Sequence, residues 1–453
     1  MYFWTALLLI AWFSPYSFGI FLCGGIALYS LRSTRHSVEA LGMLAFLIVS
    51  GKTGISLGRW IVLFAASGRM LWDGVFAGKP TPRLAYFLLL FFVVMMPLSI
   101  FASTFPWVSV LKLTTFTLGT VVVVVGLYRT LHLADYWLSW VFTLGVFILL
   151  ASVPLYGLPA GYTVNGVGFQ GILTHPQTFG PVLAPITALM AGLYFFRQRT
   201  SWIIFLCVGL GVVGMYFSLS RTSLLALMLA GAATVAVGFS FKPDTWAVDL
   251  GRTLAQPTVM IGGFFALALI ALQWTTVQSS LESFLAKDSG NASVVQALEA
   301  SRGNLMDRSM RNFWEHPVTG IGFGAPSDPA RFARQLERGP YGIPLSASVE
   351  KGFMPTAVLG ETGIIGGILT LLILVFLFLP ALQHPDPTLF WMIATCLLLN
   401  FGEMVFFSIG GMGFFLWFVM AFAHVAAQKR PSPSRASAPS RRPAHARRGR
   451  QPV

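Results

Sequence analysis

The chain has 453 residues, of which 55% are hydrophobic and only 10% charged. An ordinary soluble protein carries about 25% charged residues, so a multidomain soluble enzyme of this length is excluded and a polytopic membrane protein is indicated. The formal charge of +14 is uneven: residues 429–453 hold eight basic residues and no acid, leaving +6 for everything before them, which is poor ground for a nucleic-acid partner.

A membrane-spanning helix needs roughly 20 apolar residues to cross about 30 Å of hydrocarbon. The first thirty residues read either as one long helix or as a hairpin broken at Ser14, Pro15, Tyr16 and Ser17, where proline disfavours helix continuation. No cleavable signal is expected, because a charged leading region is missing and more apolar stretches follow. Shorter apolar runs at 38–50 and 55–66 precede spans at 84–101, 107–127, 136–155, 178–196, 202–219, 223–241 and 257–274. After a long polar stretch come spans at 358–380 and 404–426, with a shorter one at 388–402 between them. The fold class expected is an all-α polytopic membrane protein with twelve to fourteen transmembrane helices and one large, partly helical external loop. The expected parts are a bundle over 1–274, a loop over 275–355, further spans over 356–427 and a tail over 428–453.

Lysine and arginine placement sets the orientation. One parity gathers eighteen basic residues on a single side, among them Arg32, Arg35, Arg69, Lys79, Arg83, Arg129, Arg197, Arg199 and the tail; the opposite short loops hold only Lys52 and Arg221. The first side is therefore read as cytoplasmic and the 275–355 loop as periplasmic. The tail is rich in Pro, Ser, Ala and Arg without apolar periodicity, so it is read as disordered, touching anionic lipid heads.

The external loop carries eight acids and eight bases. Its apolar positions Val294, Val295, Leu298, Leu305, Met306, Met310 and Phe313 suit two short amphipathic helices interrupted near Arg302, Gly303 and Asn304. The following HPVTGIGFGAPSD has glycines at 320, 322 and 324, favouring a turn with accessible backbone N–H groups of the kind that can hold a phosphate. Arg308 and Arg311 share a helical face there, with Asp307 and Glu315 as available partners. Arg221, in SLSRTS between two spans, has no acid nearby in sequence. Such a charge is costly unless it meets an anion or a wet cavity, and guanidinium suits phosphate oxygens.

Catalytic groups are few. Of seven histidines, His36, His132, His384, His424 and His445 fall on the cytoplasmic side or its margin, and only His175 and His316 face outward. His175 opens a span and reads as an interfacial hydrogen bonder, while His316 precedes a proline in a turn. Glu350, Lys351 and Glu361 stand where the chain re-enters the membrane. Glu361 most simply caps or pairs at a helix N-terminus, whereas Glu350, partly desolvated, is the better general base. Metal ligation and a disulfide framework are not expected: no acid cluster or zinc motif occurs, and Cys23, Cys207 and Cys396 lie far apart in apolar stretches. No cofactor is expected.

Four segments in order, GFQGILTHPQTFGPVLA (168–184), SLSRTSLLAL (218–227), SRGNLMDRSMRNFWEHPVTGIGFG (301–324) and FMPTAVLGETGIIGGIL (353–369), together resemble the O-antigen ligase and O-antigen/exopolysaccharide polymerase superfamily of bacterial inner membranes. The resemblance implies a glycosyltransferase using neither metal nor nucleotide sugar. It would take a glycan from undecaprenyl diphosphate at the periplasmic face and pass it to an acceptor glycan hydroxyl, with chain-length or export partners open. It also implies that Arg221 and Arg302 bind the diphosphate; Arg311 and Lys351 are further candidates from their position in the loop. The family's histidine, about nine residues before the glutamate matched by Glu361, is replaced by Gly352. Either Glu350 takes the base role or His316 reaches in from the loop; the missing histidine moves weight from a lipid A-core ligase to a polysaccharide polymerase. A transporter or flippase of a lipid-linked sugar or small anion, with Arg59 and Lys112 along its path, is the alternative of another class.

Overall fold

The computed structural model describes residues 16–50, 55–164, 166–197, 199, 201–241, 250–257, 259–261, 264, 303–327, 337–338, 344–346, 352–383 and 386–429. The helices are α1 (Tyr16–Ser30), α2 (Thr34–Ser50), α3 (Ile55–Val75), α4 (Arg83–Phe101), α5 (Pro106–Arg129), α6 (Ala134–Ser152), α7 (Pro176–Phe195), α8 (Trp202–Phe217), α9 (Arg221–Phe241), α10 (Asn304–Glu315), α11 (Met354–Gln383), α12 (Pro387–Leu399) and α13 (Met412–Ala427). Two short antiparallel strands, β1 (Glu337–Arg338) and β2 (Pro344–Ser346), are the only β-structure among the described residues. Among the described residues, six helices are long and apolar enough to cross a membrane: those at Arg83–Phe101, Pro106–Arg129, Leu131–Gly157, Pro176–Phe195, Arg221–Ser240 and Met354–Gln383. The expected 257–274 span, most of the 275–355 loop and the tail beyond Lys429 fall outside the described residues.

Local chemistry explains the helix starts. Pro106, Pro176 and Pro387 each sit in the first turn, where a missing N–H costs nothing. Asp386 caps α12 by accepting from the N–H groups of Thr388 at 3.0 Å and Leu389 at 3.3 Å. Helix α7 is buried along nearly its whole length and forms the centre of the second half of the bundle. Small residues let its neighbours approach, as is usual where lipid supplies no hydrophobic drive between helices. A Cβ at Gly192 of α7 would lie 2.7 Å from Thr388 of α12, and one at Gly231 of α9 would lie 2.8 Å from Trp391.

One end of the bundle gathers the charge. Glu39 of α2 is 4% exposed and accepts from the Tyr29 hydroxyl, from Arg35 Nε at 2.9 Å and from the Tyr136 hydroxyl at 2.8 Å. Asp73 of α3 is 2% exposed and meets the Thr34 hydroxyl, Lys79 Nζ at 2.7 Å and Arg69 at 2.9 Å. Arg129 donates to the carbonyls of Met70, Lys79 and Pro80, Arg197 pairs with Asp386, and Lys429 pairs with Asp135 at 2.7 Å. Of the basic residues that the sequence parity groups together, Arg35, Arg69, Lys79, Arg129, Arg197 and Lys429 make these contacts among the described residues. The candidate site lies at the other end.

Candidate functional site

The site end is organised by a broken helix. Within α11, Gly363 has φ 59° and ψ −164°, so the helical ladder stops and restarts there. Backbone groups freed in an apolar surround must find new partners, and the segment after α10 supplies them. The N–H groups of Ile321 and Gly322 donate to the carbonyls of Gly360 at 3.0 Å and Glu361 at 2.9 Å. Across the break, Ile364 and Ile365 donate to the carbonyls of Pro317 at 2.9 Å and Val318 at 3.4 Å. The Glu361 side chain, 4% exposed, accepts from the N–H of Gly324 at 2.6 Å, while Lys112 of α5 donates to the Gly324 carbonyl at 2.8 Å. Phe323, fully buried, anchors the segment, with ring centroids 5.8 Å from Phe91, 5.7 Å from Phe116 and 4.9 Å from Phe407.

This arrangement corrects one expectation. The glycine run does not present free N–H groups for a phosphate: those of Gly320, Gly322 and Gly324 go to the carbonyls of His316 and Glu361 and to the Glu361 carboxylate. Glycine is required there because positive φ is combined with close approach; a Cβ at Gly320 would strike the Glu361 backbone. Glu361 sits two residues before the break at Gly363, just ahead of the point where the second helical stretch of α11 begins.

The second part of the site is the turn between α8 and α9. Leu219 holds φ 56°, an uncommon conformation for a branched residue. Ser220 and Ser223 hydroxyls lie 2.6 Å apart, and Ser220 packs where Gly180 of α7 leaves room. Arg221, half-buried, begins α9 from this turn. Thr222 packs against Gly402, and the turn over 400–404 continues to the start of α11. There Met354 N–H donates to the Asn400 carbonyl at 3.1 Å and Met404 N–H to the Gly352 carbonyl at 3.2 Å. The Arg221 turn and the α11 start are thus joined by one short loop, which also carries the half-buried Glu403. This acid escapes the sequence reading because FGEMVFF merges into the apolar run taken as a 404–426 span. In the structure 404–411 is irregular and α13 begins only at Met412. Phe406, Phe407 and Ile409 are buried in that irregular loop, and hydropathy does not distinguish this from a span.

Over the end of α8 lies the Gly-rich connection. Phe169 donates its N–H to the Phe217 carbonyl at 2.9 Å and stacks on Tyr156 with centroids 3.9 Å apart. His175 caps α7, its Nδ1 accepting from the N–H of Gln177 at 3.0 Å, so its role is local. His316 is exposed at the C-terminal end of α10, where its carbonyl accepts from Gly320 at 2.8 Å. On α10, Ser309 and Phe313 face inward, Gly360 of α11 packs against the Ser309 carbonyl, Arg308 is half-buried and Arg311 exposed. The expected helix ahead of α10, together with Arg302, Glu350 and Lys351, lies outside the described residues; Gly303 and Gly352 border them. Gly352 has φ 69°, a conformation that favours glycine over any side chain-bearing residue.

Residues 184–371 match the family model described as O-Antigen ligase. The match covers less than half of the chain and supports a likeness to the O-antigen ligase/polymerase superfamily. It spans the Arg221 turn, α10, the glycine segment and the break in α11. No curated protein matches the sequence. With the six apolar helices, the superfamily match points to a multi-pass inner-membrane protein of O-antigen ligase/polymerase type. The family implies a lipid-linked glycan and an acceptor as substrates.

Proposed function

We propose that the chain polymerises a surface or exopolysaccharide, passing an oligosaccharide from undecaprenyl diphosphate to the hydroxyl of an acceptor sugar at the periplasmic face. The observation that carries this reading is Arg221: a half-buried arginine at the end of the bundle away from the Asp73 cluster, leaving a turn strained at Leu219 and joined to the start of α11. Strained backbone of this kind collects at functional sites. This end, whose short loops hold few Lys and Arg residues, is read as periplasmic by the positive-inside rule.

In this scheme Arg221 and Arg302 hold the diphosphate. The acceptor oxygen attacks the anomeric carbon as the bond from that carbon to the diphosphate oxygen breaks. Both electrons of that bond leave with the diphosphate, whose growing charge the two guanidinium groups stabilise. Glu350 takes the proton of the attacking hydroxyl, and direct displacement inverts the anomeric centre. No metal or nucleotide sugar enters. Glycine at 352, where its family carries histidine, favours the polymerase over transfer to lipid A-core.

Arg221→Ala should lower transfer from a purified lipid-linked donor by about 100-fold or more, the usual loss when one donor to a developing oxyanion is removed. A variant that inserts normally and still makes full-length polymer refutes the scheme. For the base, Glu350→Gln should abolish transfer and His316→Ala leave it; the reverse result transfers the role to His316. A deletion strain should accumulate single repeat units on the carrier, whereas long carrier-bound chains would mark a ligase.

A further inference from the structure

The end of the bundle that holds Asp73 carries a charged patch with no part in the proposed transfer. Arg69 of α3 donates to the Leu31 carbonyl at 3.3 Å and pairs with Asp73 at 2.9 Å, so the turn after α1 lies against the last turns of α3. Lys79 takes the other oxygen of Asp73 at 2.7 Å. Arg32, next to Leu31, is exposed; its guanidinium carbon lies 5.8 Å from the Tyr29 ring centroid, and it pairs with no acid among the described residues. The neighbouring Glu39 is matched by Arg35 and by the Tyr29 and Tyr136 hydroxyls, so it does not offset this charge. Three cations therefore share one carboxylate, a surplus of two positive charges.

An apolar surface leads away from these cations along α3. Trp72 and Phe76, three and seven residues beyond Arg69, are exposed and touch, their ring centroids 4.4 Å apart. Gly68 and Ile61 continue the same exposed face. A Cβ on Gly68 would meet nothing within 4 Å, which leaves a notch in the surface beside Arg69. The Trp72 indole N–H has no acceptor among the described residues, and Arg69 keeps one N–H unused on each terminal nitrogen. An indole between polar and apolar surroundings suits a bilayer interface, and guanidinium suits phosphate oxygens. Two other occupants fit worse. A soluble acidic segment would pair with the cations and leave the aromatic face uncovered, and a second copy on a two-fold axis would bring the positive patch onto itself.

We propose that Arg32, Arg69, Lys79 and Trp72 form a binding site for one anionic phospholipid, its phosphate among the three cations and an acyl chain in the Gly68 notch. The leaflet is the one read as cytoplasmic by the positive-inside rule. Asp73, by taking up one positive charge, limits the selectivity of the site. The lipid ties the turn after α1 to α3 from outside, at the junction that Arg69 makes from within. The site lies at the opposite end of the bundle from Arg221, and the inference does not depend on the proposed transfer reaction.

The test is native mass spectrometry of the full chain released from nanodiscs of equal phosphatidylglycerol and phosphatidylcholine. The wild type should retain one phosphatidylglycerol in preference to phosphatidylcholine. Arg32→Gln should lower that preference about fivefold, the effect of one basic side chain at an anionic surface. Arg252→Gln, at an exposed arginine beside the end of α7, should leave it unchanged. Gly68→Leu fills the notch in open space without altering charge, and should lower retention of both lipids. Asp73→Asn removes the competing charge and should raise the preference, whereas a damaged fold would lower it. No preference in the wild type, equal effects of Arg32→Gln and Arg252→Gln, retention untouched by Gly68→Leu, or a fall with Asp73→Asn overturns the proposal. A lipid-free dimer would assign the face to a second copy and overturn it as well. Glycerol 3-phosphate at the same concentration should leave the lipid in place; displacement would assign the cations to a soluble anion and overturn the lipid reading.

Discussion

Glu361 is a buried acid within the family match, and its contacts suit a positioning residue better than a base. Its carboxylate accepts the buried N–H of Gly324 at 2.6 Å, while Lys112 holds the carbonyl of the same residue at 2.8 Å. A hydrogen bond to a charged group contributes about 1.5–3 kcal/mol, and a buried donor left unmet costs a similar amount. Glu361→Ala should therefore destabilise the protein by about 3 kcal/mol. Glu361→Gln keeps an acceptor oxygen but loses the charge assistance, which roughly doubles such bonds, and should cost about 1 kcal/mol. Because both partners act through Gly324, Lys112→Met combined with Glu361→Gln should show a coupling of about 1 kcal/mol in a double-mutant cycle. Thermal unfolding in detergent, read beside transfer from a lipid-linked donor, tests this. Activity should fall in step with stability, strongly for Ala and mildly for Gln. A Glu361→Gln protein with wild-type stability and no transfer would refute the argument and return Glu361 to the chemistry.

The same segment makes further expectations. Gly363→Ala adds a Cβ against the Val318 carbonyl in a backbone region that only glycine occupies comfortably, so it should cost about 2–3 kcal/mol in unfolding experiments. Phe323→Ala empties a fully buried position among Phe91, Phe116 and Phe407; about 3 kcal/mol is expected, with proteolysis after α10 as the readout of a released segment. At the other end, Asp73→Ala removes the partner of Arg69 and Lys79. Those cations are 27% and 40% exposed and reach water, so the loss should be about 2 kcal/mol, below the cost of breaking a fully buried pair, and transfer per folded molecule should be unchanged.

Spans were legible in the sequence wherever polar residues punctuate them. The runs at 84–101, 107–127 and 178–196 correspond to α4, α5 and α7, each bounded by Pro, Arg or a polar turn. The basic parity also agrees with the grouping of Arg129, Arg197 and Lys429 at one end, because loop charge is a local property of each turn. Legibility failed where the partner is remote. Nothing near Gly320 announces that its N–H neighbours will be taken by a helix forty residues on, and nothing near Gly363 announces that its helix breaks. Glu403 was hidden for another reason: a buried irregular loop and a membrane span have the same hydropathy.

The plugged break has a mechanical consequence that joins these residues. A helix that continued through Gly363 would satisfy its own backbone and have no use for the glycine segment. Broken, it needs that segment, and the segment is the direct continuation of α10, whose Ser309 carbonyl already packs on Gly360. The four backbone bonds and the Glu361 carboxylate therefore fix α10, and with it the start of the arginine-bearing loop at Gly303, to the helix whose first residues touch the Arg221 turn through Asn400 and Met404. Position is transmitted through rigid elements rather than through a charge chain. Damage at Gly363 or Phe323 should then lower transfer by the geometry lost at both ends of α11, in proportion to the fraction of molecules in which the segment has left its groove.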